Sequence, residues 1–242
     1  MASWKAAPCG PNPRTAENAD FEKFTATTVH HLREPVRMIA VYTEMLYANA
    51  GPLNEDGLHS VEFLRKASLQ MQKLLDGLAE FADATSKSLR SPSILRLDLP
   101  LRQALQSLEF ELKPVAARVS YSGLPTVLGD FDRLQIVFHH LIRNAVIYCA
   151  DRPPDITIQA QPAGWEWVVS VSDNGPGIEP AFVDRIFEPY TRLHGKSIPG
   201  NGLGLTVCRA IVEAHGGRMW VESKSGEGAT FFFTIPSEGE IP

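Results

Sequence analysis

Two short stretches crowd glycine where chemistry needs bare backbone. Gly175 and Gly177 stand in SDNGPGIEP (172–180), and Gly200, Gly202 and Gly204 in PGNGLGL (199–205). Without a Cβ, a ligand can approach main-chain N–H groups closely. The second stretch opens a helical pattern, and the unsatisfied donors and dipole of a helix N-terminus favour phosphate. Asp173 closes an apolar strand pattern just before the first glycines, where its carboxylate can accept hydrogen bonds from a base edge. One glycine group alone is weak evidence for phosphate binding; two in this order are strong.

A different chemistry is hinted at in VHHLREPVR (29–37), which sets His30 and His31 side by side on a helical pattern. A neutral imidazole carries a free nitrogen lone pair near neutral pH, so it can serve as nucleophile or base. A helical histidine in isolation is usually just a histidine. Its meaning depends on the elements around it.

From about Glu17 to Ala50 there is no glycine, and Pro35 is the one proline. Apolar residues recur at helical spacing through Phe21, Phe24, Leu32, Val36, Ile39 and Leu46. GPLNEDG (51–57) supplies turn chemistry, and a second helical pattern follows through Leu58, Val61, Leu64, Met71, Leu75, Leu78 and Phe81. The pair predicts an antiparallel helical hairpin over 16–87, after a proline-rich lead-in at 1–15 expected to be disordered. A hairpin cannot bury both apolar stripes by itself. It either pairs with a second copy in a four-helix bundle or packs against the rest of its own chain.

SKSLRSPS (86–93) reads as a polar linker, and 94–237 as a second domain. There ILRLDL, RVSYSG and PTVLG suggest strands, and LPLRQALQSLEFELKPVAA and DFDRLQIVFHHLIRNAVIYCA suggest helices. DITIQAQ and WEWVVSVSD alternate with period two around PAG, as a hairpin does. NGLGLTVCRAIVEAHGG reads as a helix, and RMWVESKS with ATFFFTIP as a closing strand pair. The fold class is α+β: a helical hairpin followed by a two-layer α/β sandwich with its helices on one face.

Bulk properties narrow the field. The 242 residues are 44% hydrophobic and 21% charged, enough for a real core. A net charge of −5 disfavours nucleic acid or an anionic membrane as partner. Cys9, Cys149 and Cys208 are too few and too scattered for a disulfide framework or a zinc site. There is no membrane-length apolar run and no signal-peptide core, so a cytoplasmic protein is expected.

DNGPG, FEPY (187–190) and GNGLGL together resemble the glycine and phenylalanine boxes of the histidine-kinase ATP-binding domain. This is the Bergerat fold, shared with gyrase and mismatch-repair ATPases. RLQIVFHHLIRNAVIY (133–148) is similar to that family's asparagine box, and RAIVEAHGGRMWVESKSGEGATFFFTIP to its closing segment. RLHGKSIPG (192–200) resembles the ATP lid of phytochrome-like histidine kinases, and the likeness extends over roughly 20–236.

The resemblance implies ATP and Mg²⁺ as ligands. Asn144 should hold Mg²⁺ against the phosphates, a task suited to an amide oxygen. Asp173 should accept the adenine amino hydrogen, Gly175 and Gly177 should shape the adenine side, and Thr230 should support the base. Gly200, Gly202 and Gly204 should cradle phosphates, with Leu203 between them, and His140 and Tyr148 belong to the ATP-binding set. Arg192 and Lys196 are either phosphate ligands or solvated lid charges. The family commonly has asparagine at His140, where ATP-hydrolysing relatives often have a nearby glutamate base; simple hydrolysis is therefore not implied. It often has lysine at Ile147, and Arg143, four residues earlier, is expected to replace that charge.

The hairpin resembles the same family's dimerisation and phosphoacceptor domain, whose signature is His-x-Leu-x-x-Pro. Counting back from Pro35 makes His30 the phosphoacceptor. Relatives carry an acidic residue immediately after it; here His31 would take the imidazole proton. The family's phosphatase pattern pairs that acid with Thr or Asn three places on, and His31 with Glu34 does not match it. The resemblance thus implies a histidine kinase that forms a homodimer through its hairpin. It would pass phosphate to an aspartate of a response-regulator receiver domain, and its input would come through a separate sensor or input protein, or the chain would be part of a longer protein. A nucleotide-binding scaffold of weakened catalysis is the other reading. A serine kinase like the anti-sigma factors lacks the hairpin and fits poorly.

Overall fold

The computed structural model describes residues 29, 32–48, 54–85, 89, 91–149, 152–191 and 202–237. The expected lead-in over 1–15 lies outside the described residues, as do His30, His31, Arg192, Lys196 and Gly200. The chain divides into two compact units, Met1–Ser86 and Lys87–Pro242.

In the first unit, helix α1 covers 32–48 and helix α2 covers Glu55–Ala84. Gly57, expected in a turn, lies in the first turn of α2. The Asn54 side chain accepts the Gly57 N–H at 3.0 Å, and Glu55 and Asp56 complement the helix dipole. Those terms outweigh the poor helix propensity of one glycine. Arg33, early in α1, meets Asp76, late in α2, at 2.8 Å, and Arg65 approaches Glu44 at 3.9 Å. These are the pairings of an antiparallel hairpin. Val29 and Val36 are buried with Leu75, and Leu78 and Ala79 pack on them. Val61 and Ala82 are also buried, whereas other apolar positions, among them Ile39, Tyr42, Leu46 and Phe63, stay exposed.

The second unit holds two sheets. Strand β1 (Pro92–Arg96) pairs antiparallel with β3 (Thr126–Asp130). The larger sheet contains β2 (Arg118–Ser122), β4 (Asp155–Ala163), β5 (Glu166–Asp173), β6 (Met219–Lys224) and β7 (Gly228–Pro236). Its order is β2-β4-β5-β7-β6, with β2 parallel to β4 and the other pairs antiparallel.

Alternation sorts the faces of this sheet. Ile158, Val171, Phe231 and Val221 are register partners in one row, and all are buried. Thr157, Ser172, Thr230 and Glu222 form a polar row on the other face. The helices α3 (Asp98–Ser107), α5 (Phe131–Tyr148) and α6 (Gly204–Ala214) turn their own apolar stripes inward. Phe138 of α5 meets Phe233 of β7 edge to face at 5.8 Å, joining helix and sheet layers in one core.

The helix expected from Leu99 to Ala117 is broken. It ends at Ser107, and a short helix α4 (Glu109–Leu112) follows. Leu108 leaves helical geometry at φ −95°, ψ 3° while its side chain stays buried. The Ser107 hydroxyl, bonded back to the Ala104 carbonyl at 2.8 Å, supports the break.

Candidate functional site

Helix α5 is fixed at its start. The Asp130 carboxylate accepts the N–H of Arg133 at 3.3 Å, capping the helix, and that of Ser91 at 3.2 Å. His215 closes the cluster: its Nε2 accepts the Asp130 N–H at 3.0 Å, so Nδ1 carries the proton bonded to the Ile211 carbonyl at 2.8 Å. Burial pushes the His215 pKa below the ordinary value, keeping the ring neutral. From this anchor α5 presents His140, Asn144 and Tyr148 at four-residue spacing along one half-buried stripe.

Opposite stands the end of β5. Val169 and Val171 point into the core, and a period of two sends Asp173 to the same face, in register with Ile156. Its Oδ1 accepts the N–H of Gly175 at 2.8 Å and of Ala229 at 3.3 Å. Burial raises the Asp173 pKa, and the two backbone bonds only partly offset that. Both bonds fall on Oδ1, so Oδ2 keeps its accepting capacity inside a largely desolvated site.

Two glycines let the backbone close around this carboxylate. At Gly177 (φ +74°) a Cβ would lie 2.2 Å from the Lys224 carbonyl oxygen. At Gly228 (φ +92°) it would lie 2.1 Å from the Asp173 carbonyl oxygen. No side chain fits at either point. The Ser223 hydroxyl ties the two segments, accepting the Ile178 N–H at 2.8 Å and donating to the Gly228 carbonyl at 2.7 Å.

The start of α6 forms the third wall. Gly202 accepts the Tyr190 N–H at 2.9 Å through its carbonyl, and Leu203 is buried. At Gly204 a Cβ would stand 3.0 Å from His140 Nδ1, so glycine makes room for the imidazole there. A cleft lies between these walls, with about 590 Å³ of empty space that includes its mouth open to solvent.

Of the residues expected from sequence, Asn144, Tyr148, Asp173 and Gly177 line this cleft. Gly175 stands behind it as a donor to Asp173, and His140 and Gly204 meet at the α6 end. Two expectations need correction. Thr230 faces away: its hydroxyl meets that of Ser172 at 2.9 Å on the polar face, and Ala229, one residue earlier, lines the cleft. Arg143 is engaged by Glu111 of α4 at 3.1 Å, because it points from α5 to the side of Asn144. The apolar wall of Ile178, Ile186, Leu205 and Phe231 escaped the sequence reading, as did Gly228. Alternation alone could not have found Ala229 and Phe231, because ATFFFTIP carries three consecutive phenylalanines and the register of β7 on β5 decides which positions face inward.

Comparison with known proteins fits this geometry. Residues 129–239 match the family of histidine kinase-, DNA gyrase B- and HSP90-like ATPases. Cyanobacterial phytochrome A of Nostoc sp. is 36% identical over 224 residues, covering 92% of this chain and 29% of that protein. The methanogenesis regulatory histidine kinase FilI of Methanothrix harundinacea is 32% identical over 225 residues, covering 92% and 25%. Full-length ShkA, solved in complex with AMPPNP, superposes with a TM-score of 0.70 at 25% identity, covering 89% of this chain and 46% of that one. The chain thus spans less than half the length of each of these relatives.

Proposed function

The chain belongs to the sensor histidine kinases and carries their ATP-binding domain, and on that premise we propose that it binds ATP in the cleft between α5, β5 and α6 and phosphorylates itself on His30. The observation that carries the reading is Asp173, a desolvated carboxylate with one oxygen saturated by backbone donors and one left to a ligand. Such an acceptor suits an exocyclic amino group, with Ile178, Ile186 and Phe231 enclosing the flat apolar base. The AMPPNP held by ShkA supports the same choice of ligand.

Asn144, on the cleft wall, would hold Mg²⁺ through its amide oxygen. No group of three or more His, Cys, Asp or Glu that could hold a metal occurs among the described residues. A lone amide fits a hard cation shared with substrate phosphates and water rather than caged by protein. When bound, the ion supplies charge neutralisation at the phosphates. Gly200, Gly202 and Gly204 would leave backbone donors open to those phosphates, and Arg192 and Lys196 would add positive charge.

In the reaction a ring nitrogen of His30 attacks the γ-phosphorus in line. The new N–P bond forms as the bond to the β,γ-bridging oxygen breaks, and ADP departs. The imidazole proton passes to His31, general-base help worth typically about 10²–10⁴-fold. The phosphoryl group then moves to an aspartate of a response-regulator receiver domain. A second copy of the chain covers the exposed stripe of the hairpin in a four-helix bundle, and the input comes either from a separate sensor protein or from a further part of a longer chain. No helix among the described residues is long and apolar enough to cross a membrane, and we place the protein in the cytoplasm. With His31 and Glu34 in the phosphatase positions, little phosphatase activity is expected.

His31, in place of the acidic residue, also favours a second reading: a nucleotide-binding dimeric scaffold that signals by conformation. Radiolabelled ATP separates the two. A kinase gives a label stable to base and labile to acid, lost in His30→Gln and still formed, though more slowly, in His31→Gln. A chain that binds nucleotide yet takes up no label is the scaffold.

A further inference from the structure

One wall of the cleft is held from a single helix. The segment Arg185–Phe187 is a 3₁₀ turn, and the stretch it begins contributes Ile186 and Thr191 to the cleft. Between them Phe187 is 4% exposed. Two residues of α6, one turn apart, grip that phenylalanine. The buried Thr206 donates its hydroxyl to the Phe187 carbonyl at 3.0 Å. The Arg209 guanidinium lies over the Phe187 ring with its carbon 4.0 Å from the centroid.

The Arg209 contact differs from a surface decoration. Among the described residues no carboxylate pairs with Arg209, so the ring face is its partner. Arg185, by comparison, stands 6.0 Å from the Phe182 ring and shares its charge with Glu188 at 3.8 Å. A cation over a buried ring at van der Waals distance is the favourable case of this interaction. The grip has a consequence for geometry. Tyr190, just beyond, holds the left-handed value φ +62° with its N–H on the Gly202 carbonyl at 2.9 Å. That conformation is strained for a residue with a side chain and persists only if its surroundings impose it.

We propose that Arg209 is a positioning residue for the nucleotide: acting through Phe187, it fixes the 185–191 wall to α6, so that the base-facing and phosphate-facing parts of the cleft keep one spacing. This rests on the nucleotide reading above. The expected ligand is the adenine nucleotide of the kinase reaction, and Arg209 need not touch it.

The test uses the full chain with AMPPNP and Mg²⁺ in a calorimeter, and amide hydrogen exchange without any ligand. Arg209→Ala should weaken AMPPNP binding by about tenfold, the size of a desolvated cation–π contact. Arg209→Lys, which keeps the cation, should stay within about threefold of the parent. In a Phe187→Leu background, Arg209→Ala should cost less than about twofold more, because its target ring is already gone. Without ligand, the Glu188 and Tyr190 amides, bonded to the Arg185 and Gly202 carbonyls, should exchange faster in Arg209→Ala while amides of β5 and β7 do not. Unchanged exchange at those two amides overturns the proposal, as does an affinity loss of equal size with and without Phe187. A parent chain that takes up no AMPPNP sinks the nucleotide reading instead, and the exchange result still judges Arg209.

Discussion

Leu101, Phe138, Ile142 and Phe233 of the second unit are wholly buried, whereas Phe63 on the hairpin is 73% exposed. Among the described residues of the hairpin, Val29, Val36 and Leu75 form a small buried cluster with Leu78 and Ala79 packed on it. One unit closes its core within a single chain because a sheet offers a broad face for three helices to cover. Two helices offer each other only a narrow seam, and the rest of their apolar surface waits for a partner. On the reading proposed above, this contrast is a division of labour: ligand recognition would sit where packing is complete, and association where it is not.

The most severe way to break this contrast is to charge the open stripe. Leu46→Glu combined with Phe63→Glu should convert a dimer to a monomer in analytical ultracentrifugation, since burying an ionised carboxylate in apolar contacts costs far more than the roughly 2–7 kcal/mol of a neutral polar group. AMPPNP affinity should remain within about twofold, because the second unit is self-sufficient. A parent chain that is monomeric at micromolar concentration would refute the reading of the hairpin.

Within the second unit, Asp173→Asn should lower AMPPNP affinity by about 100-fold or more, replacing an acceptor by a donor opposite the base amine. Calorimetry measures this directly, and retained affinity would remove Asp173 from the site. Gly177→Ala should destabilise the same unit by about 2 kcal/mol or more, because a Cβ in the left-handed region meets a carbonyl oxygen. Thermal unfolding followed by circular dichroism reads that loss, and an unchanged midpoint contradicts it.

The smallest effect is a pH dependence. Burial holds the folded pKa of His215 below the ordinary imidazole value of 6.5, so the unfolded chain binds the extra proton first. Its contribution to stability is intact above that value and declines as pH falls from there towards the folded pKa. A ring-proton NMR titration should place His215 below 6.5; a midpoint at or above it would contradict the buried neutral ring.

Much of this was legible in the letters. Period two in DITIQAQ and WEWVVSVSD marks β4 and β5, and it ends at Asp173 on the inward face. The paired glycine groups marked the cleft because their backbone demands are local. Distant pairings were not legible. Arg143 finds Glu111 across 32 residues of sequence, a partner no helical count could name. Thr230 and Ala229 differ by one step of alternation, and only the register of β7 on β5 fixes which of them faces inward. The break at Leu108 reflects a core position outbidding helix continuity, a choice made by tertiary packing.

The Asp130 carboxylate has a mechanical aspect. One of its oxygens holds the backbone of Ser91, just ahead of β1, and the other holds the first turn of α5. Tension on the strand entering at Ser91 therefore loads the same side chain that seats an eighteen-residue rod ending at Tyr148. The Asp130 side chain and the β1–β3 ladder thus join the segment at Ser91 to the helix that bears Asn144.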